Sequence, residues 1–270
     1  MCQECGCGTG GGDVKIGGHP HDDTAHHHPH GGHDHHDHGH RHSPGTKTLD
    51  LNLSLMEKND RLAERNRGFF RAKKLLVLNI VSSPGSGKTT FIRETAAKLA
   101  GDLRVGVIVG DLATDNDAAR LRVAGIPVVQ ITTGTVCHLD ADMVARAAEQ
   151  LDLDKLDVLV IENVGNLVCP ADYDLGEDLR VVLLSTTEGE DKPLKYPPMF
   201  HSAQVAIITK SDLAVAAGFD REQALANLSR VSHHAEIFEL SSKTGKGMQA
   251  WLDYLVNLHA HGGVQPVHHH

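Results

Sequence analysis

The sequence predicts an α/β fold, a mostly parallel sheet flanked by helices on both faces, preceded by a disordered histidine-rich tail. Three observations predict it. From Leu75 onward, short apolar runs alternate with helix-like stretches. The first run leads through a glycine-rich turn into an amphipathic helix. Between Gly17 and Thr48 the only apolar side chain apart from prolines is Ala25. Strands buried on both faces read as continuous apolar runs, and a helix between successive strands is what parallel pairing requires. A stretch without apolar side chains buries too little surface to offset its ordering entropy, which places the tail outside the domain.

Five segments follow along the chain. Residues 1–8 form a cysteine motif, and residues 9–47 form the histidine-rich tract. Residues 48–74 are expected to hold a helix packed on the following domain. It should open at Ser54, which stands at capping-box spacing from Glu57. The pairs Leu55-Met56, Leu62-Ala63 and Phe69-Phe70 recur seven apart and give that helix one apolar face. Residues 75–262 form the domain itself, and residues 263–270 a flexible C-terminal tail. Strands are expected at Leu75–Val81, Val105–Val109, Pro127–Ile131, Val158–Ile161, Val181–Leu184 and Val205–Ile208, with a weaker one at Ile237–Leu240. Helices are expected over Thr89–Leu99 and Asp115–Ala124, the second stopped by Gly125 and Pro127.

Composition excludes several function classes. A formal net charge of −9 with neutral histidines argues against a nucleic-acid partner or an anionic membrane surface. No apolar run approaches the length of a membrane span. The start Met1-Cys2-Gln3-Glu4-Cys5 is followed by no apolar stretch of the kind an export signal needs, so a cytoplasmic location is expected. Five cysteines, an odd number, do not suit a disulfide framework. Thiols in a reducing compartment point to metal instead.

The turn after the first strand reads Ser82-Ser83-Pro84-Gly85-Ser86-Gly87-Lys88-Thr89 and fits the P-loop pattern, with Ser82 where a glycine is usual. Small residues let successive N–H groups turn inward around phosphate oxygens. Lys88 would reach the β- and γ-phosphates, and Thr89 would offer a hydroxyl to Mg²⁺. The helix N-terminus adds its positive dipole end. Gly85, Ser86, Gly87, Lys88, Thr89 and Thr90 are therefore candidate phosphate-binding residues. Val158–Ile161 runs into Glu162-Asn163-Val164-Gly165, where Glu162 would support Mg²⁺ and the Gly165 N–H would sense the γ-phosphate. Asp111 is the other candidate carboxylate, with turn capping as its alternative role, and Asp115 and Asp117 lie close by.

Thr209-Lys210-Ser211-Asp212 stands where P-loop GTPases carry Asn-Lys-x-Asp. Asp212 would accept from guanine N1–H and its 2-amino group, which adenine cannot supply, and Lys210 would lie along the base plane. Ser241-Ser242-Lys243-Thr244, with Ser242 and Lys243 at its centre, resembles the loop that contacts guanine O6. Together, in this order, they favour GTP over ATP and point to Mg²⁺-dependent hydrolysis of GTP to GDP and phosphate.

Two groups of thiols remain. Cys2-x-x-Cys5-x-Cys7 packs three into six residues, suited to Ni²⁺, Zn²⁺ or Cu⁺, with a transient disulfide as the alternative. Twelve histidines between His19 and His42 offer many weak, exchangeable imidazoles, suited to storing divalent nickel, copper or zinc. A purification tag is the alternative for such a tract, against which the Asp, Gly and Pro spacing argues, while His268-His269-His270 fits a tag remnant. Cys137-His138 and Cys169 form the second group. They read either as metal ligands or as small buried hydrophobes. Because a short loop ties Cys169 to Glu162, a metal held by Cys137, His138 and Cys169 would feel whether γ-phosphate is present.

These residues carry a resemblance to the HypB family of hydrogenase-maturation GTPases. Its most specific parts are Ser82 to Thr89, Gly110-Asp111-Leu112, Thr133-Gly134-x-x-Cys137-His138-Leu139-Asp140-Ala141 and Glu162 to Pro170. The resemblance implies a G domain of the SIMIBI class that dimerises on GTP. It also implies a tight nickel site at Cys2, Cys5 and Cys7 and a weaker Ni²⁺/Zn²⁺ site at Cys137, His138 and Cys169 near the dimer interface. Implied partners are a HypA-like metallochaperone and the [NiFe] hydrogenase large-subunit precursor. Two other functions stand beside it: nickel storage or detoxification with a vestigial G domain, and a related GTPase serving urease or a cobalamin enzyme.

Overall fold

The computed structural model describes residues 54–112 and 115–262 in full, and the backbone of 15–16 and 44–53. The chain runs β1 (Lys15–Ile16), α1 (Pro44–Ala72), β2 (Leu76–Ser82), α2 (Lys88–Leu99), β3 (Val105–Asp111), α3 (Asn116–Val123), β4 (Val128–Thr132) and α4 (Ala141–Ala148). It continues β5 (Val158–Glu162), β6 (Leu179–Ser185), α5 (Lys192–Lys195), α6 (Pro197–His201), β7 (Val205–Thr209), α7 (Ala214–Ala217), α8 (Arg221–Val231), β8 (Glu236–Glu239) and α9 (Met248–Ala260).

The sheet order is β1-β4-β3-β5-β2-β6-β7-β8. Strands β2 to β8 are mutually parallel, and β1 pairs antiparallel with β4 at one edge. The sequence pattern places Lys15 and Ile16 in the tail; their pairing with Thr132 and Ile131 puts them on the sheet edge instead. A two-residue strand is too short for alternation to announce it.

Alternate residues of each strand serve opposite faces. Leu76, Leu78 and Ile80 of β2 pack with Phe91 and Ile92 of α2, Leu121 of α3 and Trp251 of α9. Val77, Ile108, Leu159 and Ile161 face the other way, against Phe70 of α1 and Met143, Val144 and Ala147 of α4. Further along that face, Val81, Val182, Leu184 and Ile208 meet Phe200 of α6 and Leu228 of α8. This is the period-two geometry of strands covered on both sides.

Helix α1 departs from expectation at its start. It opens at Pro44, so Ser54 lies inside the helix and is no N-cap. Proline suits a first helical turn, where its missing N–H costs nothing. Its buried seam also differs from the three apolar pairs: Leu55 and Phe69 are exposed, and Ala63 and Phe70 are buried. Two buried amides complete the seam. Asn59 donates to the Asp174 carbonyl (2.8 Å) and accepts from the Ala141 N–H (2.9 Å), and Asn66 donates to the Ala141 and Leu175 carbonyls (2.8 and 3.1 Å).

Strand β2 sits mid-sheet, with β5 on one side and β6 on the other. A crevice therefore opens beyond its carboxyl end, where open α/β sheets bind ligands. Among the described residues no helix is long and apolar enough to cross a membrane.

Candidate functional site

The crevice at the end of β2 holds the glycine-rich turn, and α2 begins at Lys88 directly after it. Gly87 takes φ 99°, a left-handed backbone that admits glycine and turns the loop into the helix. Ser82, buried at the position where glycine is usual, uses its side chain to hold the loop. Its hydroxyl accepts from Lys88 Nζ at 3.0 Å and pairs with the Ser86 hydroxyl. Burial pushes Lys88 below its ordinary pKa, opposed chiefly by the charge of Glu162. Thr90 is exposed on the first turn of α2.

Glu162, at the end of β5, is 2 % exposed. Its Oε1 accepts from the Thr89 hydroxyl at 2.8 Å, while its Oε2 is buried without a hydrogen-bond partner. Burial raises its carboxyl to about 7, despite the opposing charge of Lys88. Gly165 ends this turn against the phosphate loop: a Cβ there would lie 3.1 Å from Pro84 Cα, a tight contact that would press the loop back by a few tenths of an ångström. Asp111 ends β3 beside the same crevice, and its Oδ1 accepts from the Leu112 N–H at 2.6 Å, the turn-capping contact.

The two loops expected to recognise the base also converge. Lys210 adopts φ 55°, unusual for a residue with a Cβ. Its conformation is held by the Thr186 hydroxyl, which donates to the Lys210 carbonyl at 2.8 Å. Its Nζ donates to the Gly85 carbonyl at 2.7 Å, joining this loop to the phosphate loop. Thr209 stands where asparagine is usual, a change expected to weaken a supporting contact. Its hydroxyl instead donates to the Ser86 carbonyl at 3.1 Å, so the link to the phosphate loop is kept. Asp212 Oδ1 accepts from the Ser241 hydroxyl at 2.6 Å, which sets the loop of Ser242 and Lys243 beside it.

Cys137, His138 and Cys169 come together as the one cluster of its kind among the described residues. One ligand atom from each lies within 4.8 Å of the others. The two sulfurs are 2.7 Å apart. His138 stacks on Tyr173, ring centroids 3.9 Å apart, and its Nδ1 is buried without a hydrogen-bond partner. Burial pushes this imidazole below its ordinary pKa, which favours the neutral form a metal needs.

Two amides tie the cluster to the Glu162 turn. Asn166 donates to the Cys137 carbonyl at 3.3 Å, and its Oδ1 accepts from the Val168 N–H at 2.9 Å, next to Cys169. Asn163 Oδ1 accepts from Val164 N–H (2.9 Å) and Leu139 N–H (3.4 Å), and its amide donates to Asn79 Oδ1 at 3.2 Å. Sequence reasoning assigned neither asparagine a role of its own; their place directly after Glu162 was the available signal. Tyr173 gave none. Cys2, Cys5, Cys7, the twelve-histidine tract and the C-terminal histidines lie outside the described residues.

A glycine-rich loop at the centre of a parallel sheet, followed by a helix that begins at its lysine, defines a P-loop nucleotide-binding domain. The CobW/HypB/UreG nucleotide-binding domain family matches residues 76–239. Hydrogenase maturation factor HypB of Escherichia coli strain K12 is 52 % identical over 209 residues, covering 77 % of this chain and 72 % of that one. The crystal structure of HypB from Helicobacter pylori in complex with nickel aligns with TM-score 0.74 and 41 % identity, over 79 % of this chain and all of that one. That of the Archaeoglobus fulgidus hydrogenase maturation factor HypB aligns with TM-score 0.71 and 40 % identity, over 75 % and 99 %. The chain belongs to the CobW/HypB/UreG family and, within it, to the HypB hydrogenase maturation factors.

Proposed function

We propose that this chain is a GTP-hydrolysing nickel metallochaperone that promotes nickel insertion into [NiFe] hydrogenase. The observation that carries the reading is the pair of amides, Asn163 and Asn166, joining the Cys137/His138/Cys169 cluster to the Glu162 turn of the nucleotide site. A change at the phosphate end of that turn would then alter the cluster's geometry, and nickel is the cargo so released.

The phosphate loop would bind GTP through its backbone N–H groups, with Lys88 neutralising charge on the transferring phosphoryl group. Asp212, Lys210, Ser242 and Lys243 would select guanine. The free Oε2 of Glu162, beside the Thr89 hydroxyl, fits a hydrated Mg²⁺; Asp111 stands near enough to share the role. When bound, that ion would neutralise charge on the phosphates. Cys2, Cys5 and Cys7 would form a second nickel site, and the histidine tract would store nickel. Zn²⁺ competes for the inner cluster, whose thiolate–imidazole donors suit both ions. GTP-dependent homodimerisation, a HypA-like donor, the hydrogenase large-subunit precursor and a cytoplasmic location complete the reading. Supporting it over storage with an idle G domain are the intact Lys88, Thr89 and Glu162 contacts.

The test is equilibrium Ni²⁺ binding with and without a non-hydrolysable GTP analogue. It uses the chain with Cys2, Cys5 and Cys7 replaced by serine, and a weak chelator masks the histidine tract. Nucleotide-dependent affinity that disappears in Cys137→Ser or Cys169→Ser is expected. Affinity indifferent to nucleotide would overturn the delivery reading.

A further inference from the structure

A second buried carboxylate faces the phosphate loop, and no role described so far involves it. Glu188 follows β6, on the side of β2 opposite Glu162. In the sequence it opens an acidic run, Glu188-Gly189-Glu190-Asp191, that reads as a solvated turn. In the structure both of its carboxylate oxygens are shut off from solvent, and neither makes a hydrogen bond. A dry carboxylate without a donor costs free energy, and a site holding one has a reason for it.

Its surroundings supply the reason. The backbone turns tightly at this point, the Glu188 N–H donating to the Ser185 carbonyl at 2.9 Å. The neighbouring Thr187 hydroxyl accepts from Lys210 Nζ at 3.4 Å, and that ammonium donates to the Gly85 carbonyl at 2.7 Å. The turn therefore lies directly on the phosphate loop. Burial raises the Glu188 carboxyl above its ordinary range, opposed by Ser83 and then by Lys192, Lys210 and Lys88. The Ser83 hydroxyl is near enough to pull on the carboxylate as a donor, yet it closes no hydrogen bond of good geometry, and none of the lysines does. Ser83 neighbours Pro84, the residue against which Gly165 packs. Glu188 and the Glu162 turn thus approach one end of the loop from its two sides.

We propose that Glu188 is the carboxylate that orients and deprotonates the water attacking the γ-phosphorus. Water oxygen forms the new bond to phosphorus as its proton passes to a Glu188 oxygen. The bond from phosphorus to the β–γ bridging oxygen breaks, and its electron pair stays on GDP. The proton then leaves with the released phosphate. Two unused oxygens suit a general base: one accepts the proton, and the other stays free for the second water hydrogen. Lys192, Lys210 and Lys88 favour the charged carboxylate against the effect of burial. This inference rests on the reading of the chain as a GTP hydrolase.

The experiment compares wild type, Glu188→Gln, Glu188→Asp and Glu190→Gln in steady-state GTP hydrolysis, with GDP affinity measured separately on a fluorescent GDP analogue. Glu188→Gln should lose about 100-fold in kcat with KM and GDP affinity within about twofold of wild type. Glu188→Asp, shorter but still a base, should recover part of that loss, and Glu190→Gln should match wild type. Wild-type kcat in Glu188→Gln, or a loss explained by weakened GDP binding, would overturn the proposal and leave the hydrolase reading standing. Absence of hydrolysis by wild type, with GDP bound normally, would overturn the hydrolase reading and this inference with it.

Discussion

Glu162 and Glu177 are both glutamates buried below 9 % exposure, and the protein treats them in opposite ways. Glu177 is saturated. Its Oε1 accepts from Asn79 Nδ2 (3.0 Å) and Arg180 Nε (3.1 Å), and its Oε2 accepts from the Leu175 N–H (2.8 Å). Arg180 is saturated in turn by the Ala171 and Tyr173 carbonyls (2.9 and 2.7 Å) and the Ser202 hydroxyl (2.9 Å). Burial works to raise the Glu177 carboxyl, and Arg180 with these donors outweighs it, holding the group at about 2. Glu162 has one donor, Thr89, and is left at about 7. A saturated buried charge fixes architecture; an unsaturated one waits for a ligand.

Breaking the saturated site should have the largest effect. Arg180→Ala strands the Glu177 charge in the interior and should cost about 3–5 kcal/mol, read from urea unfolding of the nucleotide-free chain.

The pH dependence of stability sharpens the contrast, because the two carboxyls act with opposite sign. The folded Glu177 pKa is depressed, so its contribution is present above about 4.5 and is lost as pH falls toward 2. The folded Glu162 pKa is raised, so its contribution is present below about 4.5 and is lost as pH rises through 7. The Glu162 shift corresponds to about 3 kcal/mol. Nucleotide- and magnesium-free protein should therefore lose stability between pH 5 and 7.5, and Glu162→Gln should flatten that limb. A limb unchanged in Glu162→Gln would remove the assignment.

The third effect falls on chemistry instead of folding. Glu162→Gln should leave the unfolding midpoint at pH 7.5 at or above wild type while lowering magnesium-dependent GTP hydrolysis about 100-fold, close to 2.7 kcal/mol. If both midpoint and rate fell together, Glu162 would belong with Glu177 as an architectural group.

The contrast also marks what the sequence made legible. Seven parallel strands and the phosphate loop were readable because continuous apolar runs and a glycine-rich strand–helix turn are local patterns. The grouping of Cys137, His138 and Cys169 was readable through their association with the Glu162 turn. Burial of charge was not. Glu177 and Glu188 each sit in acidic stretches that resemble solvated turns, and only the folded chain withdraws the first, and the carboxylate oxygens of the second, from water. Asn59 and Asn66 were equally hidden, because a helix seam is read by its apolar residues and their partners lie 75 to 115 positions away. The start of α1 was misplaced for a related reason: the capping-box spacing at Ser54 is a local signal that the longer helix overrides.

The stacking of Tyr173 on His138 has a consequence for aim. An aromatic ring 3.9 Å away lies along one face of the imidazole and fixes its plane. A ring nitrogen binds an ion in that plane, through its lone pair, so the stacked ring leaves the ligand direction open while holding it still. A side chain outside the Cys137/His138/Cys169 set thus governs how well the three donor atoms are aimed.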